Sequence, residues 1–221
     1  MKHRSPRGRW VLAGTALLVL SMSAALALPR LDRNTGPADF GELPRPQAVA
    51  VDEVAPGASS TGPSAGASKS AGALPQLLVI PRLRMKAPID PVGVAPDGKT
   101  EVPEDARRVG WYRFGPAPGS AKGSAVIVGH VDSRTQGLGV LAGLDDARAD
   151  DRIDVRSTGG VTAVYRIVSR RTIPKGELAD SGVFRRDGSP VLTLVTCTGP
   201  FLKDRGGYQD NLVITAVPEA R

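Results

Sequence analysis

Arg152-Ile-Asp-Val-Arg-Ser-Thr-Gly-Gly-Val-Thr-Ala-Val-Tyr-Arg-Ile-Val168 sets two β-branched-rich runs on either side of turn residues. Apolar side chains fall at every second position, Ile153/Val155 in the first run and Tyr165/Ile167 in the second. That period turns one face of an extended strand toward a core and the other toward water. Comparable runs recur outward from it at Gln76–Ile80, Met85–Ile89, Ala125–Val128, Val191–Thr196 and Leu212–Ala216. Helical patterning is scarce: Gly137–Asp145 is expected to form one short helix, and Lys175–Val183 another turn or two. Seven or eight short strands with no internal repeat read as a closed barrel or a sandwich, an all-β domain either way.

The composition supports a globular domain with additions. The chain has 221 residues, 41% hydrophobic and 23% charged, but only 4% aromatic, so its core must rest on Val, Leu, Ile and Ala. One Cys excludes a disulfide framework within the chain and any all-cysteine metal site, and two His leave little room for a His-rich zinc site. No cofactor and no metal is therefore expected. Of the net charge of +7, Lys2, Arg4, Arg7 and Arg9 bring a large share. From Pro75 onward 21 Lys+Arg stand against 17 Asp+Glu, scattered and with few aromatics between them, a solvated surface rather than a nucleic-acid interface.

Residues 1–9 read as a cytoplasmic basic segment and residues 10–28 as an apolar, uncharged span. Nineteen such residues are just long enough to cross a hydrocarbon core, and the preceding positive charge keeps the N-terminus inside. A single-pass anchor with everything after Leu28 outside the cell is the expectation; cleavage after Ala25-Leu26-Ala27 is the alternative. Residues 29–74 are rich in Pro, Gly, Ala and Ser, with Phe40 as the one aromatic, and read as a flexible linker. Residues 75–221 form the domain.

Outside the membrane this chain has one His and one Cys, and each ends a predicted strand: His130 closes Ser124-Ala-Val-Ile-Val-Gly-His, and Cys197 closes Val191-Leu-Thr-Leu-Val-Thr-Cys. Strand ends open onto loops, where the sheet fixes a side chain that substrate can still reach. A lone Cys is commonly a small core residue and a lone His a structural one. Thiolate chemistry, however, needs a partner that lowers the thiol pKa from about 8.5, and this pair supplies one candidate of each kind. Asp132 either shares the face of His130 or stabilises the turn after it. Gly115–Ser124 lacks the Gly-Lys-Ser/Thr order of a phosphate loop and reads as a surface loop. Ser133 lacks a Gly-x-Ser-x-Gly setting. Glu177, Asp180 and Asp187 match no dedicated calcium loop and read as solvated acids.

Val128-Gly-His-Val-Asp-Ser133 together with Thr193-Leu-Val-Thr-Cys197 resembles the signature pair of the sortases, membrane-anchored cysteine transpeptidases of Gram-positive bacteria. The His-Val-Asp-Ser form is similar to the actinobacterial class F group, and the resemblance spans about Pro75 to Val217. It implies a closed eight-stranded β-barrel with one or two short helices. It also implies Cys197 as the nucleophile on a Leu-Pro-x-Thr-Gly-type sorting signal of secreted proteins, and His130 as the acid and base. The acceptor would be an amine of a peptidoglycan precursor or another amine. Thr196 would lie against the bound peptide or the oxyanion. The family's third residue, an Arg on the strand after the Cys, has no counterpart between Gly206 and Ala220, which leaves Arg205, Gln209 or Asn211 to stand in for it. Another extracellular cell-wall cysteine peptidase, or an anchored β-domain that only binds surface proteins, are the competing functions.

Overall fold

A computed structural model describes residues 38–41 and 73–219. Ten strands form in chain order: β1 (Pro75–Ile80), β2 (Met85–Val92), β3 (Val109–Tyr112), β4 (Ser124–Gly129), β5 (Asp132–Ser133), β6 (Gly137–Leu138), β7 (Arg152–Ser157), β8 (Thr162–Pro174), β9 (Val191–Leu202) and β10 (Gly207–Pro218). Eight of them close a barrel in the order β1-β2-β3-β4-β9-β10-β8-β7, with β7 pairing back onto β1; β5 and β6 make a small hairpin of their own. The expected all-β barrel is thus present. The anchor read over residues 10–28 lies outside the described residues, and among those described no helix is long and apolar enough to cross a membrane.

Alternation sorts the side chains into two apolar layers. Leu78, Ile80, Ile127, Ile153, Ile167, Leu192, Leu194, Leu212 and Ile214 fill the interior, sealed at one end by Leu141 and Leu144. Each such side chain contributes about 1.5–3 kcal/mol when fully buried. A second, all-aliphatic layer coats the outside of β4, β9, β10 and the end of β8: Val126, Val128, Val195, Val213 and Ile173, roofed by Leu178, Val183 and Phe184. β4 and the middle of β9 and β10 are therefore apolar on both faces, as central strands of a covered sheet must be.

Two expectations change on contact with the structure. The run read as Val191–Thr196 continues to Leu202, so Cys197 sits inside a strand rather than at its end. The pairing with β10 absorbs Gly199 and Pro200 at a bulge between the pairs Tyr208↔Phe201 and Asp210↔Thr198. The helix expected at Gly137–Asp145 is a 3-10 helix over Val140–Asp146, because Gly137 and Leu138 pair with Ser133 and Asp132 instead. Lys175–Val183, expected to hold a turn or two, has one 3-10 turn, Lys175–Glu177. Val109–Tyr112, short and interrupted by Gly110, is a strand that periodicity did not flag.

Within the stretch read as linker, Ala38–Gly41 lies on the barrel. β8 outruns β7, and Phe40 completes its free edge by exchanging both backbone hydrogen bonds with Arg170 at 2.9 Å. One extra residue at Val168, opposite the step from Thr215 to Ala216, reverses the facing of β8 there, so Arg170 turns inward. Its guanidinium donates to the carbonyls of Ala38, Asp145 and Ala147 and lies against the Phe40 ring. Replacing Arg170 by Met leaves three carbonyls without their donor. We expect a loss of about 3 kcal/mol in urea unfolding; an unchanged midpoint would show that solvent replaces these bonds freely.

Candidate functional site

The parallel pairing of β4 with β9 runs from Ser124↔Val191 to Val128↔Val195. Two residues beyond that last pair come His130, just past the end of β4, and Cys197 within β9. Parallel neighbours lie about 4.8 Å apart and advance together, so equal steps deliver the two residues to one level of the sheet. Both follow the facing of Val128 and Val195 and so emerge on the outer, roofed layer. On the far side of Cys197 the β10 ladder places Asn211 directly opposite it, and β8 places Ile173 opposite Asn211. The row His130, Cys197, Asn211, Ile173 thus crosses four adjoining strands on one face. His130 and Cys197 are half-buried and Asn211 is 7% exposed.

Each member of the row is held from outside it. The His130 Nε2–H donates to the Pro103 carbonyl at 3.0 Å. Since a carbonyl can only accept, the neutral ring carries its proton on Nε2 and leaves Nδ1 as the basic nitrogen. Pro103 owes its place to Gln136, whose carboxamide accepts from the Ala106 N–H at 2.9 Å and donates to the Glu104 carbonyl at 3.1 Å. Gly139 passes so close to His130 that a Cβ there would stand 2.1 Å from the His130 carbonyl oxygen, so no other residue fits. Thr196 is 3% exposed and donates its hydroxyl to the Gly129 carbonyl at 2.9 Å. It faces the interior and ties β9 to β4 one step before the row, which corrects the expectation that it meets the peptide or the oxyanion. Pro103, Gln136 and Gly139 were not flagged by sequence; each acts through backbone or amide contacts that no residue-type pattern marks.

Asp132 does not bond to His130. Its Oδ2 accepts from the Tyr208 hydroxyl at 2.7 Å, linking the β5–β6 hairpin to the β9–β10 hairpin. Tyr208 in turn packs edge-on against the exposed Phe201 at 5.2 Å. The Asp132 bond, then burial, push the Tyr208 phenol up to about 12.

The three residues considered in place of an arginine separate clearly. Arg205 closes the 3-10 turn Lys203–Arg205 at the exposed hairpin tip, with Leu202 already five residues beyond Cys197, about 16 Å along a strand. Gln209 occupies the bulge and donates its Nε2–H to the Gly207 carbonyl at 2.5 Å. Asn211 alone lies in the row. Elsewhere, Ser133 sits in the β5–β6 hairpin, and the Gly115–Ser124 loop docks on the barrel through the Gly119 N–H, which donates to Tyr165 Oη at 2.7 Å. Glu177 and Asp180 line a shallow cleft with Arg171 and Ser181, from which Asp187 is absent. No cluster of three or more His, Cys, Asp or Glu suited to a metal occurs among the described residues.

The sortase-domain family model matches residues 78–219, well over half of the chain, and the chain belongs to the sortase family. Among solved structures it is similar to sortase C-1 from Actinomyces oris, at 22% identity and a TM-score of 0.52 over 66% of this chain and 73% of that one. It is also similar to sortase C1 of GBS pilus island 1, at 22% identity and a TM-score of 0.50 over 66% of this chain and 64% of that one. A Streptococcus agalactiae sortase C1 in complex with MTSET is 23% identical with a TM-score of 0.50, over 66% of this chain and 67% of that one. The chain thus spans about two thirds of the length of these structures, and at such identities they establish the shared fold. No curated protein sequence matches.

The Tyr208–Asp132 bond has a readable pH signature. Because the folded phenol titrates above the unfolded value near 10, its stabilisation is complete below pH 10 and disappears as pH rises through about 12. Ring-carbon NMR of Tyr208 should show ionisation only near pH 12, and Asp132→Asn should return it toward 10. Ionisation near 10 in the unmodified protein would mean that the bond does not persist in solution.

Proposed function

We propose that this chain is a membrane-anchored cysteine transpeptidase of the class F-like group, with its barrel outside the cell. One observation supports the reading above the rest: parallel strands bring the sole Cys and the sole His of the barrel to the same level and the same face. The His-Val-Asp-Ser form after β4 supports the class, and the basic segment before residues 10–28 supports the anchor.

In this reading Cys197 Sγ attacks the carbonyl after Thr in a Leu-Pro-x-Thr-Gly-type signal near the C-terminus of a secreted protein. The sulfur–carbon bond forms as the carbonyl electrons move to oxygen. Collapse breaks the carbon–nitrogen bond, and the glycine-side amine leaves with a proton from the His130 imidazolium. The resulting thioester is opened by an amine of a peptidoglycan precursor or another amine acceptor, whose proton His130 Nδ1 takes. The fixed Nε2–H keeps the same nitrogen aimed at the reacting atoms in both half-reactions. The competing reading, an anchored domain that binds surface proteins without reacting, draws on the exposed position of Arg205 at the hairpin tip.

Incubating the full chain in detergent with a panel of Leu-Pro-x-Thr-Gly-type peptides and reading intact mass separates the two. We expect a thioester adduct and a released glycine-side fragment, no adduct on Cys197→Ala, and at least a roughly 100-fold slower reaction for His130→Ala. Binding without adduct across the panel, or cleavage surviving in Cys197→Ala, would overturn the proposal.

A further inference from the structure

Acylation of a thiol passes through a tetrahedral oxyanion, and a donor must stand beside the nucleophile to receive it. Asn211 has the required position. As the direct cross-strand partner of Cys197 it shares the face of the sheet, with Cβ atoms about 5 Å apart. Its carboxamide has no hydrogen-bond partner among the described residues, although the residue is 7% exposed. It is not sealed off either: the side-chain oxygens that are both shut from solvent and unpaired belong to Ser169 and Thr215. A nearly buried amide opposite the thiol, with both N–H donors unused, is poised for a ligand atom rather than for the fold.

The competitors are engaged or remote. Gln209 spends its Nε2–H on the Gly207 carbonyl, and Arg205 stands exposed at the hairpin tip. Asp132 carries a carboxylate that would repel an oxyanion, and it is occupied by Tyr208. We propose that the Asn211 side-chain N–H is the oxyanion donor for acylation of Cys197, a neutral amide in the role that sortases give to an arginine. As Sγ bonds to the carbonyl carbon, the electron pair driven onto oxygen is met by Nδ2–H of Asn211. When that pair returns, the bond to the leaving group breaks and the oxygen is released. The proposal rests on the transpeptidase reading, yet the chemistry can be probed without a sorting peptide.

The test compares two reactions of Cys197 in the full chain. p-Nitrophenyl acetate acylates the thiol through an oxyanion and releases nitrophenolate; iodoacetamide alkylates it by displacement with no oxyanion. Asn211→Ala and Asn211→Asp should lower the acylation-to-alkylation ratio by about 100-fold or more, while Arg205→Ala and Gln209→Ala leave it unchanged. The alkylation rate, compared with that in denaturant, reports on the same sample whether the thiol still sits in its folded setting. A structural role for Asn211 would change both rates together. An unchanged ratio in the Asn211 variants, or a fall in the Gln209 or Arg205 variant instead, would overturn the assignment. A lowered ratio in a protein that no sorting peptide acylates would keep the oxyanion donor and sink the sorting-signal reading.

Discussion

Everything at the site depends on two strands running the same way. Antiparallel neighbours bring together residues whose positions sum to a constant, so a turn of fixed length sets what meets. Parallel neighbours need a long crossover, and any residues equally far past the last pair arrive side by side. Here the crossover from β4 to β9 contains the β5–β6 hairpin, β7 and β8, and the pairing Val128↔Val195 fixes the phase for the residues beyond it. Slipping that register by one residue would turn Cys197 inward and His130 outward, or the reverse. The buried hydroxyl of Thr196 on the Gly129 carbonyl resists such a slip one step before the row.

Covering both faces of the central strands has a consequence for chemistry. The outer layer of Val126, Val128, Val195 and Val213 ends where His130, Cys197 and Asn211 begin. Polar groups at the end of an aliphatic strip feel a low local dielectric on one side, where a hydrogen bond to a developing charge is worth more than in water. The same setting penalises a polar group with nothing to bind. That penalty is why the unused Asn211 carboxamide stands out against Gln209, which satisfies itself within its own bulge.

Residue type and period conveyed an all-β domain, barrel or sandwich, the inner faces of β7 and β8, and His130 and Cys197 as the pair worth examining. They did so because alternation and chemical rarity are properties of single residues. The closed barrel followed only from the motif resemblance. The features that stayed hidden depend on pairing. The extension of β9 through Gly199-Pro200 needs β10 beside it to absorb the bulge, where Gly199 sits at φ +79°. Asn211 looked no better than Gln209 or Arg205, since only the register tells which of three nearby polar residues faces the thiol. Phe40, the lone aromatic of its stretch, finds its use only because β8 outruns β7 and leaves an edge to cover.

That covered edge connects to the site through one side chain. Arg170 binds the carbonyls of Asp145 and Ala147 at the end of the 3-10 helix whose first turn begins at Val140, just after Gly139 closes on His130. On the same guanidinium it carries the Ala38 carbonyl, so the segment around Phe40 and the far end of the helix that starts behind His130 share one donor group. A guanidinium holding several carbonyls at once fixes all of them relative to each other more firmly than separate bonds would, because its N–H vectors are rigid. The position of His130 is thereby set from three directions: by β4 in sequence, by Pro103 at the ring, and by the helix that Arg170 clamps. In the proposed reaction a half-buried imidazole that serves two proton transfers with one nitrogen gains from such overdetermination, since tilting the ring would aim the wrong atom at the thiol.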